Sequence, residues 1–424
     1  MRTRQVVRRI AAVSAAAVLT AAVAGAQDNA AAIDHAKRVL DLIVQEKFDD
    51  VAKEFNEKVA AAIPVEKLRG VWTQITQQAG AYVKSIDQQV AAPAPGITAV
   101  TLGAQFEKMP LNVLIAFDAD NKIAGLRFTP RAPANEPPAT PTSTKFKDEP
   151  VTVGSGAWTL PGTLSMPVGP IAAAVVLVHG SGPHDRDETI GPNKPFRDLA
   201  WGLADRGIAV LRYVKRTRQY PGKTAGTAEY TVQEEVIDDA VAAVALVRSR
   251  DRIDPKRVFV LGHSLGGTVA PRIAEADRSV AGLIVLAGAT RPILDAAREQ
   301  LAYLSSLNPG TIEPEKALAA LKAAAPESYW RDLDAHNAAQ LAKKQTTPML
   351  VLQGERDYQV TMADLQGWKD ALRDQPRVTI KSYPALNHLF LPGEGKSTPA
   401  EYSRAGQIPD AVLDDIANWL KAVK

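Results

Sequence analysis

The stretch Val258-Phe259-Val260-Leu261-Gly262-His263-Ser264-Leu265-Gly266-Gly267 decides the fold. Its four apolar residues predict a buried strand, and the pattern from Leu265 onward predicts a helix. Gly262, Ser264 and Gly266 form a G-x-S-x-G pattern, in which a sharp turn strains the serine backbone and the glycines let neighbouring segments approach. The serine hydroxyl then faces a cleft, and the N–H of Leu265 points at a developing oxyanion. The stretch predicts a nucleophile. An ordinary glycine-rich turn with a serine N-cap is the alternative.

On both sides of this turn, apolar runs alternate with amphipathic helical patterns. Such alternation predicts an α/β fold with a doubly wound, mostly parallel sheet, whose chemistry belongs in loops at the carboxyl ends of strands. The predicted strands are Ala172–Val178, Ile208–Tyr213, Val258–Leu261, Gly282–Leu286, Met349–Leu352 and Val378–Tyr383. The predicted helices are Pro195–Arg206, Val232–Arg250, Leu265–Glu275, Met362–Leu372 and Asp410–Val423.

The G-x-S-x-G turn in this setting resembles the α/β-hydrolase superfamily, and the resemblance covers Phe146 to Lys424. It implies a catalytic serine, acid and histidine in that order along the chain. Only two of the six histidines follow Ser264, and His388 is the one that comes after the last predicted strand, whereas His336 precedes the strand that should carry the acid. We therefore predict that His388 takes the proton from Ser264 and later gives it to the leaving alkoxide.

The acid is expected in the loop after Met349–Leu352, where Glu355 and Asp357 compete. The superfamily pattern Gly-x-x-Asp selects Asp357, and Glu355 is expected to pair with Arg356 or with a neighbouring loop. The predicted role of Asp357 is to fix the imidazole tautomer and to stabilise the imidazolium.

A second oxyanion donor is expected in His179-Gly180-Ser181-Gly182-Pro183, directly after the strand Ala172–Val178. The resemblance implies the backbone N–H of Ser181 as this donor beside that of Leu265, with Gly182 as the near alternative. The chain has no G-x-x-x-x-G-K-[ST] pattern, which argues against a phosphate-binding loop here. The next block, from His184 to Phe196, resembles a subgroup of bacterial secreted α/β hydrolases. Its charges predict ion pairs that brace the oxyanion loop, in preference to a metal site, so we expect no metal and no cofactor.

About 60 residues separate the strands Gly282–Leu286 and Met349–Leu352, far more than one crossover needs. We interpret residues 288–345 as a helical cap with predicted helices at Ile293–Ser306, Pro314–Ala325 and Tyr329–Lys343. Tyr303, Tyr329 and Trp330 are predicted either to line the substrate pocket or to attach the cap to the body. A cap of this size favours a small or medium-sized ester.

Residues 27–130 predict a separate small α+β domain. Its predicted helices are Ala31 to about Val59 and Val65–Thr76, and its predicted strands are Ile97–Phe106, Leu111–Phe117 and Ile123–Phe128. On its length, element order and the stretch from Phe106 to Leu126, it resembles an NTF2-like domain of unknown function. Residues 131–145 follow as a proline-rich linker, because five prolines fall between Thr129 and Thr144.

Residues 1–26 predict a bacterial signal peptide. Arg2, Arg4, Arg8 and Arg9 precede an apolar run, and Ala24-Gly25-Ala26 offers a cleavage site near Ala26. The run is too short for a stable membrane span, so we expect export to the periplasm or the medium without a retained anchor. Without this segment the net charge of +3 becomes −1, which gives no reason to expect a nucleic-acid partner. The chain has no cysteine, so no disulfide or thiolate chemistry is possible.

The sequence thus predicts a serine carboxylesterase that forms an acyl-enzyme with a small-molecule ester. A serine peptidase or amidase is the alternative, because Gln353-Gly354-Glu355-Arg356-Asp357 also resembles prolyl-oligopeptidase-type enzymes. A third hypothesis is a non-catalytic binding protein with the same fold. The presence of all three triad residues in the expected order argues against this hypothesis. The sequence does not indicate the oligomeric state.

Overall fold

The computed structural model describes residues 30–94, 96–130, 143–220, 229–307, 309 and 313–423. The chain divides into two compact units, Met1–Pro138 and Ala139–Lys424. The predicted signal peptide and residues 131–142 of the predicted linker lie outside the described residues. Within the described part, no helix is long and apolar enough to cross a membrane.

The first unit is an antiparallel sheet with helices and one apolar core, which contains Trp72, Phe106 and Phe117. Residues 30–44 are helical (α1), and the other helices are α2 (Phe48–Lys53), α3 (Glu57–Ala62) and α4 (Val65–Ala79). The strands, in the spatial order of the sheet, are β1 (Tyr82–Ala94), β2 (Ile97–Phe106), β3 (Pro110–Phe117) and β4 (Ile123–Pro130). The sequence did not predict β1. It is an edge strand with mostly exposed side chains, so it carries no apolar alternation.

The second unit is built on an eight-stranded sheet, and the predicted mostly parallel fold is confirmed. Its order is β12-β11-β10-β9-β7-β8-β6-β5. The strands are β5 (Phe146–Val153), β6 (Leu160–Pro167), β7 (Ala173–Val178), β8 (Ile208–Tyr213), β9 (Val258–His263), β10 (Leu283–Leu286), β11 (Met349–Gly354) and β12 (Val378–Tyr383). All neighbours from β8 to β12 pair in parallel, whereas β5 and β6 are antiparallel and were not predicted.

Helices cover both faces of this sheet, which explains the continuous apolar strands. In β7, Ala174 and Val176 pack into the core on one face, and Val175 and Leu177 into the core on the other. On the first face lie α7 (Asp238–Arg248, after a π-helical turn at Gln233–Ile237), α8 (Leu265–Ala276) and α13 (Met362–Leu372). On the second face lie α5 (Pro195–Ala204) and α14 (Asp410–Ala422). The short helix α6 (Arg216–Gln219) follows β8, and a 3₁₀ turn spans Pro399–Ser403.

The predicted cap is helical. It contains α9 (Ile293–Leu307), α10 (Pro314–Ala323), α11 (Glu327–Asp334) and α12 (Ala338–Lys343). The single helix predicted over Tyr329–Lys343 is therefore two. The break lies at Asn337, whose side chain accepts a hydrogen bond of 2.9 Å from the N–H of Gln340 and so caps α12.

Candidate active site

Ser264 occupies the sharp turn between β9 and α8. Its backbone has φ +52° and ψ −116°, a conformation that residues with a side chain rarely adopt. A Cβ added at Gly262 would lie 2.1 Å from the carbonyl oxygen of Gly266, and one at Gly266 would lie 2.2 Å from that of Val178. Only glycine fits at either position, which is the steric reason for the G-x-S-x-G spacing.

His388 and Asp357 meet at the carboxyl ends of β12 and β11. Nδ1 of His388 lies 2.6 Å from Oδ2 of Asp357, and both side chains are buried. Because the carboxylate accepts, Nδ1 must carry the proton, which leaves Nε2 free to accept one. His388 and Ser264 line the same cavity. The structure therefore brings the three predicted residues to one edge of the sheet.

The carboxylate of Asp357 is held by three further donors. Oδ1 accepts hydrogen bonds from the N–H groups of Gln359 (2.7 Å) and Val360 (3.1 Å), and Oδ2 accepts one of 3.2 Å from Nε2 of Gln353. The rival Glu355 is exposed and accepts a hydrogen bond of 2.7 Å from the hydroxyl of Ser382. Only Asp357 is placed to orient the imidazole.

The two predicted oxyanion donors lie beside the nucleophile. Leu265 is the first residue of α8, so its N–H has no acceptor within the helix. Ser181 and Gly180 line the cavity, and a Cβ added at Gly180 would lie 3.1 Å from Cβ of Ser264. The carbonyl of Ser181 accepts a hydrogen bond of 2.6 Å from Nε2 of His184.

A buried ion pair joins three loops of the site. Nδ1 of His263 lies 2.9 Å from Oε2 of Glu188, and Nε2 of His263 lies 3.0 Å from the carbonyl oxygen of His388. Oε1 of Glu188 also accepts a hydrogen bond of 2.6 Å from the N–H of Gly180. Nε2 of His263 is hydrogen-bonded and Nδ1 lies close to the Glu188 carboxylate, whose negative charge favours the doubly protonated, charged ring. The pair thus connects the oxyanion loop, the nucleophile turn and the loop of the base.

Each charge of this pair shifts the pKa of its partner in the direction that keeps the partner ionised, against the effect of burial. Burial alone would raise the pKa of Glu188, but the His263 charge and contact lower it from 4.5 to about 2. Burial alone would lower the pKa of His263, but the Glu188 carboxylate raises it above 6.5 overall. His179, buried without such a partner, has its pKa lowered to about 3 by burial.

A second set of buried charges lies behind the oxyanion loop. Nζ of Lys215 donates a hydrogen bond of 2.7 Å to the carbonyl of Gly180 and lies 2.8 Å from Oε1 of Glu235. The hydroxyl of Tyr329, in cap helix α11, donates a hydrogen bond of 2.5 Å to Oε2 of Glu235. The oxyanion loop is thus connected to the cap.

The charged block after Pro183 contributes ion pairs, as predicted for bracing. Asp187 pairs with the buried Arg212, which also contacts Asp148 at 2.7 Å. No group of three or more histidine, aspartate or glutamate side chains among the described residues is arranged to hold a metal ion.

The cavity above Ser264 has a volume of about 930 Å³ and is roofed by the cap. The cap contributes a mainly apolar wall that also contains the polar side chain of Gln300. Its apolar members include Ile293, Ala296, Ala297, Leu321, Ala325, Tyr329, Trp330 and Leu333. Two of the three predicted pocket aromatics, Tyr329 and Trp330, are among them. Tyr303 is not, so the first of its two predicted roles, lining the pocket, is wrong. Its ring packs against Tyr358 and its hydroxyl donates to the carbonyl of Ser397, so it attaches the cap to the body.

The charged block that contains Glu188 was predicted to brace the oxyanion loop, and Glu188 contacts the N–H of Gly180 in that loop. The sequence did not indicate roles for His263, Lys215 or Glu235. His263 occupies the variable position of the G-x-S-x-G pattern directly before Ser264. Lys215 is the second residue after the end of β8, and it is buried, which is rare for a charged side chain. A charged residue at the carboxyl end of a buried strand was the available signal.

Two family models match the chain. The one described as prolyl oligopeptidase family matches residues 203–405, and the one described as protein of unknown function (DUF3887) matches residues 36–126.

One relative matches over most of the chain. Esterase EstD of Thermotoga maritima is 37% identical over 394 aligned residues, which cover 89% of this chain and 92% of that protein. The alpha/beta hydrolase domain-containing protein WAV2 of Arabidopsis thaliana is 27% identical over 201 residues, covering 46% of this chain and 62% of that protein. Among solved structures, the esterase Pf2001 of Pyrococcus furiosus is 19% identical with a TM-score of 0.47, covering 69% of this chain and 96% of that one.

Proposed function

Because the chain belongs to the α/β-hydrolase superfamily and to the family of esterase EstD, we propose that it is a carboxylesterase with Ser264 as its nucleophile. The observation that carries the proposal is the 2.6 Å hydrogen bond between His388 and the buried Asp357, because His388 lines the same cavity as Ser264. A hydroxyl, an imidazole and a carboxylate in this arrangement perform acyl transfer.

The reaction follows from the placement of these groups. Nε2 of His388 removes the proton from Ser264, whose oxygen attacks the ester carbonyl and forms a tetrahedral oxyanion. The N–H groups of Leu265 and Ser181 stabilise that charge, while Asp357 stabilises the imidazolium. His388 then protonates the alkoxide, which leaves an acyl-enzyme. Water, activated by the same imidazole, attacks the acyl-enzyme and releases the acid.

The cavity favours an uncharged substrate. Its buried carboxylates, Glu188 and Glu235, are already paired with His263 and Lys215, so they offer no net charge for recognition. The wall on the cap side is mainly apolar, with Gln300 as an uncharged polar side chain. We therefore assign small or medium-sized esters with apolar acyl groups as the substrate class.

A comparison of two variants with the native protein tests the function. Purified protein and Ser264→Ala are assayed on p-nitrophenyl esters graded by acyl length and on aminoacyl anilides. We expect ester turnover that falls at least about 10³-fold in the variant. A Ser249→Ala variant is the matched control, because that serine is exposed, donates to the carbonyl of Leu246 at the end of α7, and does not line the cavity. Ester turnover that persists in Ser264→Ala contradicts the assignment of the nucleophile.

A serine peptidase is the second candidate, since the prolyl oligopeptidase family model matches residues 203–405. The same residues would then form an acyl-enzyme from an amide. Anilide turnover that exceeds ester turnover in the native protein would favour this candidate over the esterase.

Export is part of the proposal. It is supported by the basic residues Arg2 to Arg9, the apolar run that follows them and the small residues before Gln27. N-terminal sequencing of the protein from a fractionated bacterial host tests it. A periplasmic product that begins at Gln27 supports export, and a cytoplasmic product that begins at Met1 contradicts it.

A further inference from the structure

We propose that Lys215 is a positioning residue that orients and polarises the peptide group supplying the second oxyanion donor. The inference rests on the proposed function, because it concerns the oxyanion that the ester reaction generates. It extends the site to a buried lysine that makes no contact with the triad.

The argument begins with the peptide bond between Gly180 and Ser181. Its carbonyl accepts a hydrogen bond of 2.7 Å from Nζ of Lys215. None of the peptide bonds among the described residues is cis, so the N–H of Ser181 points away from the side to which the Gly180 carbonyl points. Gly180 and Ser181 line the cavity, and Lys215 is not part of that lining. An ammonium group behind the peptide therefore directs its N–H towards the cavity.

The positive charge of Lys215 polarises the Gly180–Ser181 peptide group in addition to orienting it. A cation on the carbonyl oxygen draws electron density from the peptide nitrogen, which makes its N–H a stronger donor to a developing negative charge. The adjoining groups are fixed too, since the N–H of Gly180 donates to Glu188 and the carbonyl of Ser181 accepts from His184. The donor is thus preorganised before substrate binds.

The lysine is itself held. Only 2% of Lys215 is exposed, and its ammonium lies 2.8 Å from the carboxylate of Glu235, which in turn accepts a hydrogen bond from Tyr329 of the cap. Apolar residues can replace a buried ion pair of this kind with little loss of stability, so stability alone does not account for the presence of the pair. The hydrogen bond from Lys215 to the oxyanion loop accounts for it.

The neighbouring residue provides a matched control. Arg216 and Asp239 form an ion pair that is buried to a similar degree, with the guanidinium Nε 2.9 Å from the carboxylate, but neither side chain contacts the oxyanion loop. Lys215→Met/Glu235→Gln removes the first pair without leaving a charge unpaired, and Arg216→Met/Asp239→Asn removes the second in the same way. Lys215→Gln/Glu235→Gln, which keeps hydrogen-bonding groups at both positions, replaces the methionine variant if that protein does not fold.

The full chain is assayed for kcat and KM on a p-nitrophenyl ester, and for inhibition by a trifluoromethyl ketone, which forms a tetrahedral oxyanion on the serine. For the Lys215 variant we expect kcat to fall about 10- to 100-fold, KM to change less than about threefold, and the inhibition constant to rise by a factor similar to the fall in kcat. The Arg216 variant should keep kcat and the inhibition constant within about threefold of the native values.

The inference is overturned if kcat falls while the ketone binds as tightly as before, if both double variants lose the same activity, or if the Lys215 variant keeps full activity. A native protein without ester turnover would instead refute the proposed function. The two failures are therefore distinguishable.

Discussion

Replacing Asp357 by asparagine should cost nearly all of the catalytic rate while leaving the loop in place. Oδ1 of Asp357 accepts from two backbone N–H groups, at 2.7 and 3.1 Å, so the oxygen of the asparagine must stay at that position. The amide nitrogen then takes the place of Oδ2 and presents a donor to Nδ1 of His388. Nδ1 can answer only as an acceptor, which moves the ring proton to Nε2.

In that tautomer Nε2 carries a hydrogen and cannot take the proton of Ser264. The native contact is a charge-assisted hydrogen bond of 2.6 Å between buried groups, so the imidazolium also loses its buried counter-charge. Tautomer reversal of this kind lowers kcat by about 10⁴-fold in enzymes with the same triad, which is roughly 5 kcal/mol in the barrier. We expect a fall of about 10³- to 10⁴-fold here.

The assay is steady-state hydrolysis of a p-nitrophenyl ester at pH 7 to 8, with thermal unfolding to show that the variant is folded. Glu355→Gln is the matched control, because that carboxylate is in the same loop but is exposed and bonded to Ser382. It should retain activity within about twofold. A folded Asp357→Asn protein with less than a tenfold loss, or an equal loss in Glu355→Gln, would refute the assignment.

Glu188→Gln should lower the free energy of unfolding by about 3 kcal/mol at pH 6, because a pKa held at about 2 instead of 4.5 stabilises the folded state above pH 4.5. This stabilisation of the native protein is lost as the pH falls from 4.5 through about 2, and also as the pH rises through the raised pKa of His263. Urea titrations followed by tryptophan fluorescence measure the free energy of unfolding at both limits. A difference between native protein and variant that does not change with pH would contradict the pairing. Gly266→Ala should destabilise the fold by several kcal/mol, since its Cβ would lie 2.2 Å from a backbone carbonyl oxygen. Gly70→Ala should stabilise the fold by up to about 1 kcal/mol, because Gly70 is at an exposed position of helix α4 and its added Cβ would meet nothing within 4 Å. Melting temperatures that rank the two glycine variants in the opposite order would disprove the steric account. Ala297→Phe adds an aromatic ring to the apolar cap wall and should move the preferred acyl chain towards shorter esters in a graded panel, and an unchanged preference would place the acyl chain elsewhere.

The sequence predicted some strands of the fold and missed others, and the difference has a physical reason. The resemblance to the α/β-hydrolase superfamily is confirmed. It could be stated from the sequence because β9 is buried on both faces, so its residues from Val258 to Leu261 are all apolar, and the charged His263 comes only at its end. β5 is polar at its exposed positions and contains Pro150, so an edge strand of this kind has no comparable signal.

The site divides in the same way. Ser264, Asp357 and His388 could be proposed from local patterns, since each belongs to a loop whose place in the strand order identifies it. The ion pairs of His263 with Glu188 and of Lys215 with Glu235 join segments 75 and 20 residues apart in sequence. Their partners are set by three-dimensional packing, and no local spacing shows which charges meet. The sequence also could not decide the role of Tyr303. An aromatic residue gives a cap helix the same apolar pattern whether it packs against the body of the domain or lines the cavity.

The backbone of Ser264 has an evolutionary consequence. At φ +52° the position suits glycine better than any residue with a side chain, so a mutation to glycine there would relax the turn while ending the chemistry. Descendants released from selection for activity would drift towards glycine at this codon. The turn alone therefore does not account for serine at this position, which agrees with a role for its hydroxyl in catalysis.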